Sequence, residues 1–525
     1  MSLAERIARY RQLAGEQGNA AIKYKNQLNA NSLFRLLLFL TGSLFCYFLY
    51  PATVPVLVVA AATTIGFLAL LKRHGELQQR MARSEVLAKI AKNELRAFEH
   101  DFTPFDGAAE HVDPSHPFSF DLDIFGEGSL FQMLNRTSLE MGKGELASML
   151  KMPLREGGEI RKRQGAVREL SEKEDFCLDF RTIGMLSEGQ QLESRPANWP
   201  GREQQLFRRP SLWRAITHIV PLLYLLTIAL VLAGATGGQA ITLLYFITLS
   251  ISVIPTKSVK RIGLLFDKRA KQLESYAGLL KLVESTSFDS ELLQTLQQSL
   301  QNDKKMASTS IRQLARYCRN LDLAFAVPIF LILNPLLLWN VLYALKIEQW
   351  MQRNATEIGK WFSTLAQFDA LVSMGTFTSN NPDYVFPVCE ESEPFRAEKL
   401  GHPLIPRNKC VKNDIALLRK PYFMIVTGAN MAGKSTYLRT VGVNYLLAGS
   451  GLPVCAESMS YRPGELLTNL RTADSLVNNE SYFFAELKRL KMIIERLESN
   501  EHDLFIILDE ILKGTNSVDK QWGSY

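Results

Sequence analysis

Cysteine is scarce and scattered in this sequence. A zinc site needs clustered ligands, and a secreted disulfide framework needs closely spaced cysteines. No C-x-x-C pair occurs among the six cysteines, which are Cys46, Cys177, Cys318, Cys389, Cys410 and Cys455. We therefore expect a reducing compartment and no structural metal.

The sequence also lacks a strong excess of one charge and a signal peptide. It has 60 Lys and Arg against 53 Asp and Glu, and the net charge of +7 does not by itself indicate a nucleic-acid partner. The polar, helix-prone stretch Ala4 to Asn29 does not have the basic, apolar and small-residue order of a cleavable signal peptide.

Two long stretches contain no Asp, Glu, Lys or Arg, namely Leu36 to Leu71 and Ala215 to Thr256. A spanning helix needs about 20 apolar residues, so each stretch is long enough for two short spans. Pro51 and Pro55 predict a turn in the first stretch, and Gly234 to Gly238 predicts one in the second. The alternative is a set of core helices in a soluble protein, but such helices rarely run beyond about 15 residues without a charge. We therefore predict two transmembrane hairpins.

Basic residues flank both hairpins, and the two turns carry no Lys or Arg. The flanking residues are Lys23, Lys25, Arg35, Lys72 and Arg73 for the first hairpin and Arg208, Arg209, Arg214, Lys257, Lys260 and Arg261 for the second. By the positive-inside rule, both ends of each hairpin lie in the cytoplasm. The sequence thus predicts a multi-pass protein of the cell membrane.

A third apolar run, Leu323 to Leu345, is also uncharged but is interrupted by two prolines and two asparagines. Counting it as a span would make the number of spans odd and would place the C-terminal part of the chain outside the cytoplasm. We therefore interpret this run as a buried or interfacial helix.

The strongest local motif lies in the C-terminal part of the chain. An apolar stretch from Tyr422, predicted to be a strand, leads into G-x-x-x-x-G-K-S, and a helical pattern follows from Tyr437 to Leu447. Glycines let backbone N–H groups surround phosphates, and a helix N-terminus adds positive potential. The predicted nucleotide-binding residues are Gly428, Ala429, Asn430, Met431, Ala432, Gly433, Lys434, Ser435 and Thr436. Lys434 is predicted to neutralise the β- and γ-phosphates of ATP, and the Ser435 hydroxyl to ligate Mg²⁺.

An apolar segment that ends in two acids lies downstream of this motif. Asp503 to Leu508 is predicted to be a buried strand, and Asp509 and Glu510 follow it. Asp509 at a strand end is suited to hold Mg²⁺ through water, and Glu510 to polarise the attacking water as a catalytic residue with Lys434. The adjacent Asp-Glu order favours an ABC-type ATPase over a small GTPase.

Several of these motifs together resemble the MutS family of DNA mismatch repair ATPases. The segment from Thr427 to Arg439 is similar to the family's phosphate loop, with Asn-Met inside it and Thr-Tyr-Leu-Arg after it. Gly401-His402-Pro403 resembles the opening of the family's ATPase domain, and Asp509 to Asp519 resembles Asp-Glu-x-x-x-Gly-Thr-x-x-x-Asp. The resemblance covers roughly residues 118–182 and 350–525, so we expect both hairpins to lie outside it.

The resemblance carries expectations about partners. The family completes its nucleotide sites across a dimer, which implies a homodimer through the ATPase domains. Ser481 is the candidate for the contact with the partner's nucleotide, and Asn478-Asn479 stand where Ser-Gly is common in the family. DNA is the implied substrate, ATP and Mg²⁺ are the implied cofactors, and the hairpins add a lipid bilayer.

The sequence departs from the family at two further points. Mismatch readers carry an N-terminal domain with a Phe-x-Glu wedge, and no such domain fits before Asp121. Residues 118–182 resemble the start of the family's core domain, and we call this segment the core-domain motif. Phe125-Gly126-Glu127 matches the wedge letters but lies in this motif, so we do not expect it to be a wedge. The chain stops at Tyr525, and we expect a C-terminally incomplete ATPase domain.

The predicted fold is an α/β P-loop ATPase domain of ABC type after a mainly helical core and lever region, with two transmembrane helical hairpins. The expected segments are an N-terminal helix (1–30), hairpin 1 (31–73), a helical linker (74–117), the first part of a MutS-like core (118–210), hairpin 2 (211–256), a helical lever with the second part of the core (257–375) and the ATPase domain (376–525).

Two other classes of function stay open beside a membrane-anchored, MutS-like ATPase that acts on DNA. One is a membrane mechanical ABC-type ATPase with no nucleic-acid substrate. The other is a scaffold that binds nucleotide without turnover.

Overall fold

The computed structural model describes residues 1–186, 207–266, 269–302, 305–390, 395–417, 422–429, 432–471, 482–499 and 503–510. The fold is mostly helical, as expected for the core and lever region. The chain forms two compact units. The first comprises Met1–Thr137, Leu146–Leu186 and Leu371–Tyr525, and the second comprises Ser138–Glu145 and Ser187–Ala370.

The first unit begins with two long helices, α1 (Leu3–Phe48) and α2 (Thr53–Phe98), which pack against each other along their length. Ser2 caps α1 by accepting a hydrogen bond from the Glu5 N–H. No proline lies within α1, so its polar first half and its apolar second half form one continuous helix. The expected boundaries at residues 30 and 73 are changes of composition within helices, and they do not coincide with helix ends.

The α-helices described between α2 and residue 186 are short. They are α3 (Leu130–Leu134), α4 (Glu140–Lys151), α5 (Gly157–Glu172) and α6 (Glu174–Met185). The Ser129 hydroxyl caps α3 by accepting from the Gln132 N–H. Phe131, Leu150 and Phe180 on these helices are fully buried, so they contribute to the core of the first unit.

Among its described residues the second unit contains eight whole helices and one short hairpin, together with the first part of α15 (Glu357–Asn380) and part of α4. The whole elements are α7 (Pro210–Leu232), α8 (Gln239–Val253), α9 (Thr256–Phe266), α10 (Ala270–Ser285), α11 (Glu291–Gln298), β1 (Gln301–Asn302), β2 (Lys305–Met306), α12 (Ala307–Leu323), α13 (Val327–Leu337) and α14 (Trp339–Asn354). α10 packs on α12, and α12 packs on α14, where the Trp350 indole N–H donates to the Ser310 carbonyl at 2.9 Å. Tyr224 Oη and Thr248 Oγ1 lie 2.9 Å apart and join α7 to α8.

Within the described residues, α1, α2 and α7 are long and apolar enough, by length and composition, to cross a membrane. The number of candidate spans rises from 3 to 5 if each of two bent helix pairs counts as one span. One pair is α8 with α9, bent by 60°, and the other is residues Ile329–Leu337 of α13 with α14, bent by 72°. The run that we interpreted as buried or interfacial helix is thus broken at Leu338, which adopts a left-handed conformation.

Helix α15 and a mixed α/β region complete the chain. The elements are α15 (Glu357–Asn380), β3 (Val388–Cys389), β4 (Phe395–Leu400), β5 (Asn413–Leu417), α16 (Lys434–Gly449), β6 (Ser458–Tyr461), β7 (Glu465–Asn469), α17 (Tyr482–Ser499) and β8 (Leu504–Leu508). One sheet has the order β3-β6-β4-β5, with β3 parallel to β6 and β4 antiparallel to both neighbours. β7 and β8 form a parallel pair that aligns Glu465 with Leu504 and Asn469 with Leu508. The stacked rings of Tyr445 and Phe505, with centroids 4.2 Å apart, fix α16 against β8.

A fully buried carboxylate joins α2 to the rest of the first unit. Arg136 Nε donates to Glu94 Oε1 at 2.8 Å, and Arg181 Nη2 donates to the same oxygen at 2.6 Å. Asn380 Nδ2, at the end of α15, donates to Glu94 Oε2 at 2.9 Å. Burial alone would raise the pKa of Glu94, but the two guanidinium groups outweigh it and lower that pKa. We call Glu94, Arg136, Arg181 and Asn380 the Glu94 cluster.

Candidate functional site

The segment before the phosphate-loop motif differs from the sequence prediction. No strand is assigned within the described residues 422–429, so the predicted strand from Tyr422 to Thr427 was wrong. A β-strand is defined by its hydrogen bonds to a neighbouring strand. In the described part of the chain β8 pairs with β7 and not with residues 422–427. Phe423 and Ile425 are accordingly 67% and 75% exposed.

The helix after the motif is confirmed. α16 begins at Lys434, directly after Gly433, which caps it with φ +87°. A residue with a side chain would be strained at this left-handed φ, whereas glycine adopts it freely. The motif therefore ends where a glycine is required and a helix N-terminus begins.

Lys434 and Ser435 link this loop to the downstream acids. Lys434 Nζ donates to the carbonyl oxygens of Gly428 and Ala429 at 2.6 and 3.2 Å. Ser435 Oγ donates to Asp509 Oδ2 at 2.5 Å, across 74 residues of sequence. The structure therefore brings together two motifs that sequence analysis had linked only by their chemistry.

The strand before Asp509 is present and is only partly buried. β8 covers Leu504–Leu508, and Ile507 is 5% exposed while Leu508 is 36% exposed. The Asp509 N–H donates to the Asn469 carbonyl at 3.0 Å, which continues the pairing of β8 with β7. Glu510 follows with φ +43°, a value uncommon for a residue with a side chain.

Three of the predicted site residues lie outside the described residues. They are Asn430 and Met431 of the loop and Ser481, the candidate for contact with a partner's nucleotide. Ala432 and Thr436 lie at the site and are exposed.

Two aspartates that sequence analysis did not single out fasten this region to the segment after α2. Asp121 is fully buried, and its carboxylate accepts from Thr468 Oγ1 at 2.6 Å and from Arg489 Nη2 at 3.2 Å. Asp123 accepts from Arg439 of α16 at 3.1 Å and from Arg471 at 2.5 Å. These partners lie more than 300 residues away in the sequence, so no local pattern could have found them.

His402, singled out for its Gly-His-Pro motif, is kept neutral by its surroundings. Its pKa is lowered to about 4 from an ordinary value of 6.5, mainly by burial and also by the positive charge of Arg439, while Asp123 opposes the shift. Its Nδ1 accepts from the Leu404 N–H at 3.3 Å, as a neutral imidazole can.

We expect His402 to make the stability of the protein dependent on pH in a defined window. Between pH about 6.5 and about 4 the unfolded state binds more protons at this site, so stability falls as the pH is lowered through that window. The His402→Gln variant should lose this part of the slope when unfolding midpoints are measured from pH 4 to 7. A His74→Gln control should keep it, and equal slopes in wild type and His402→Gln would contradict the assignment.

The Phe-x-Glu letters at Phe125 do not form a wedge. Phe125 is 8% exposed, and its ring lies 5.5 Å from the ring of Phe131 and 5.6 Å from that of His111. Lys151 Nζ lies 5.4 Å from the Phe125 ring centroid. The ring is part of the core, as the position of this segment in the core-domain motif had suggested.

Replacing Phe125 with alanine should therefore lower stability by about 3–5 kcal/mol, as is usual for a buried Phe. A wedge residue would instead change DNA preference and leave the unfolding midpoint nearly unchanged. Denaturant unfolding in detergent, with the exposed Val112→Ala as a control, separates the two outcomes.

Two family models match parts of this chain. Residues 119–374 match the family model described as MutS domain III, and residues 424–521 match MutS domain V. The DNA mismatch repair protein MutS of Fusobacterium nucleatum is 31% identical over 165 residues, which are 30% of this chain and 18% of that protein. The DNA mismatch repair protein MSH3 of Vanderwaltozyma polyspora is 32% identical over 173 residues, 32% of this chain and 16% of that protein. MutS 1 of Haloarcula marismortui is 33% identical over 159 residues, 30% of this chain and 17% of that protein.

The fold thus has a mostly helical core and an α/β region, in which Ser435 of the G-x-x-x-x-G-K-S loop contacts Asp509 at the end of β8. The chain belongs to the MutS family. The matched part spans less than a fifth of the length of these three relatives. The domain III match runs continuously from 119 to 374, so it includes the second hairpin, which we had expected to lie outside the resemblance.

Proposed function

We propose that this protein is a membrane-anchored MutS-family ATPase that binds and hydrolyses ATP and acts on DNA structure. The observation that carries the proposal is the hydrogen bond from Ser435 Oγ to Asp509 Oδ2. It unites a phosphate-binding type of loop with an acidic strand end, which is the arrangement that P-loop ATPases use.

Each site residue has a role that its chemistry supports. The loop N–H groups and the N-terminus of α16 receive the phosphates, and Lys434 neutralises them. In this structure the Lys434 ammonium uses the Gly428 and Ala429 carbonyls as acceptors, and phosphate oxygens would replace them. Glu510 is the residue that polarises the attacking water.

The donor set at the site fits a magnesium ion. A serine hydroxyl and a carboxylate, 2.5 Å apart in Ser435 and Asp509, are hard oxygen ligands of the kind that Mg²⁺ prefers. When bound, the ion supplies charge neutralisation to the phosphate oxygens. Ser435 would ligate it directly, and Asp509 would hold it through water.

DNA and a second copy of the chain are the proposed partners. The relatives are named as DNA mismatch repair proteins, which supports a DNA substrate. The burial of Phe125 favours recognition of DNA structure over insertion of this ring at a mispair. Dimerisation through the ATPase domains, with Ser481 reaching the partner's nucleotide, is carried over from the family.

The lipid bilayer is the third proposed partner, with the ATPase domain in the cytoplasm. The apolar halves of α1 and α2 are exposed along their length, and Phe39, Val54 and Ile65 are 57%, 70% and 68% exposed. Such a large continuous apolar surface is unfavourable in water and suits hydrocarbon.

A second candidate function is a membrane mechanical ATPase with no nucleic-acid substrate. The Glu94 cluster favours it, because a buried charge network joins α2 firmly to the core of the first unit. A simple tether would need no such connection.

Turnover by the full chain in nanodiscs tests the proposed site. Wild type should hydrolyse ATP, whereas Glu510→Gln should bind a fluorescent ATP analogue with similar affinity and hydrolyse about 10²-fold more slowly. Equal turnover by both proteins would reject the role of Glu510.

Extraction with alkaline carbonate tests the proposed membrane spans. Washed membranes should retain the protein, and its release into the wash would reject the spans.

A further inference from the structure

A basic surface lies at one end of the hairpin formed by α7 and α8. The Tyr224–Thr248 contact and the short turn between the helices make them antiparallel, so the start of α7 and the end of α8 lie at the same end. We define the basic collar as the six exposed cations Arg208, Arg209, Arg214, Lys257, Lys260 and Arg261.

Helix α9 presents half of this collar on a single face. Lys257, Lys260, Arg261 and Leu264 follow the spacing i, i+3, i+4, i+7, and all four are exposed. The opposite face, with Val259, Ile262 and Phe266, is buried within the second unit, where α9 packs on α12 and α14. The helix is therefore held by the protein on one side and offers cations and an apolar side chain, 76% exposed at Leu264, on the other.

No acidic residue lies between these cations in the sequence. The sequence contains no Asp or Glu from Gln204 to Phe266. Across the described ranges, with residues 267–268 among the gaps, none of the six cations forms an ion pair. Six positive charges that form no ion pair within the described ranges repel one another and attract an anionic partner.

We propose that the basic collar binds the phosphate groups of anionic phospholipids at the membrane surface. The proposal rests on the proposed membrane insertion and adds the class of lipid that the second hairpin recognises. Continuity favours lipid over DNA, since α9 follows an uncharged helix directly, after a 60° bend. The exposed Leu264 suits the acyl boundary and would have no use on a DNA backbone.

Lipid retention by the purified full chain tests whether the basic collar binds anionic phospholipids. The protein in mild detergent is mixed with equal amounts of phosphatidylglycerol and phosphatidylcholine of the same acyl chains, and the lipid retained after gel filtration is measured by mass spectrometry. Wild type should retain more phosphatidylglycerol. One cation near an anionic surface changes affinity by about fivefold, so Lys257→Gln/Lys260→Gln/Arg261→Gln should lower the ratio at least about fivefold.

A matched control removes three exposed cations elsewhere in the second unit. Lys271→Gln/Lys281→Gln/Arg316→Gln changes the same residue types and should keep the wild-type ratio. Lys257→Arg/Lys260→Arg should also keep it, because this variant preserves the positive charge.

Other outcomes overturn the inference, and they separate it from the membrane proposal. If the protein resists carbonate extraction but retains both lipids equally, the collar proposal fails and the spans stand. If it is extracted and retains no lipid, both fail. If duplex DNA displaces the phosphatidylglycerol, the collar is a DNA surface and the proposal is wrong.

Discussion

Replacing Glu94 with alanine should destabilise the first unit by about 3–5 kcal/mol, the cost of leaving buried charges without their partner. Arg136 and Arg181 are 5% exposed at their side chains and both donate to this carboxylate. Without Glu94, two guanidinium groups would lie buried side by side. Denaturant unfolding in detergent should register the loss as a lower midpoint.

Glu85 provides the control, since it lies on the same helix and is exposed. Glu85→Ala should change stability by less than about 0.5 kcal/mol. A Glu94→Ala protein within about 1 kcal/mol of wild type would contradict the account of the cluster.

The Glu94 cluster also makes the stability of the first unit depend on pH in the acid range. The pKa of Glu94 is lowered in the folded state because, although burial raises it, Arg136 and Arg181 lower it more. Its contribution is therefore present above the ordinary carboxyl pKa of 4.5 and is lost as the pH falls through the lower folded value.

The second large effect is expected at the nucleotide site. Lys434→Ala should reduce ATP turnover by about 10²-fold or more, because we propose that this lysine neutralises the phosphates of ATP. Its ammonium bonds only to carbonyls of its own loop in the described structure, so stability should change little. Turnover and binding of a fluorescent ATP analogue measure the two effects separately.

Lys409→Ala is the matched control, because Lys409 is an exposed lysine of the same region. It should retain wild-type turnover. If Lys434→Ala also retained it, the loop would not be the hydrolytic site.

Local sequence was sufficient for the features that depend on neighbours in the chain. The helix after Gly433 follows from a glycine and an apolar pattern, and α16 confirms it. The strand before Asp509 follows from five consecutive apolar residues, and β8 confirms it. The burial of Phe125 follows from its place in a core motif.

Features that depend on distant partners could not be predicted. The segment at Phe423 is as apolar as β8, yet it is not a strand in the described residues, because strand formation requires a neighbour. The partners of Asp121, Asp123 and Glu94 come from segments remote in sequence. A buried carboxylate and an exposed one look the same in sequence, so these connections became visible only in the fold.

We propose that the MutS-type ATPase site works with DNA at a membrane. The most direct test is ATP turnover by the full chain in nanodiscs, with no DNA, perfect duplex, mismatched duplex or branched DNA, each beside Lys434→Ala. We expect branched DNA to change the Lys434-dependent rate more than perfect duplex does. A Lys434-dependent rate that no DNA changes would contradict it and would favour the mechanical membrane ATPase.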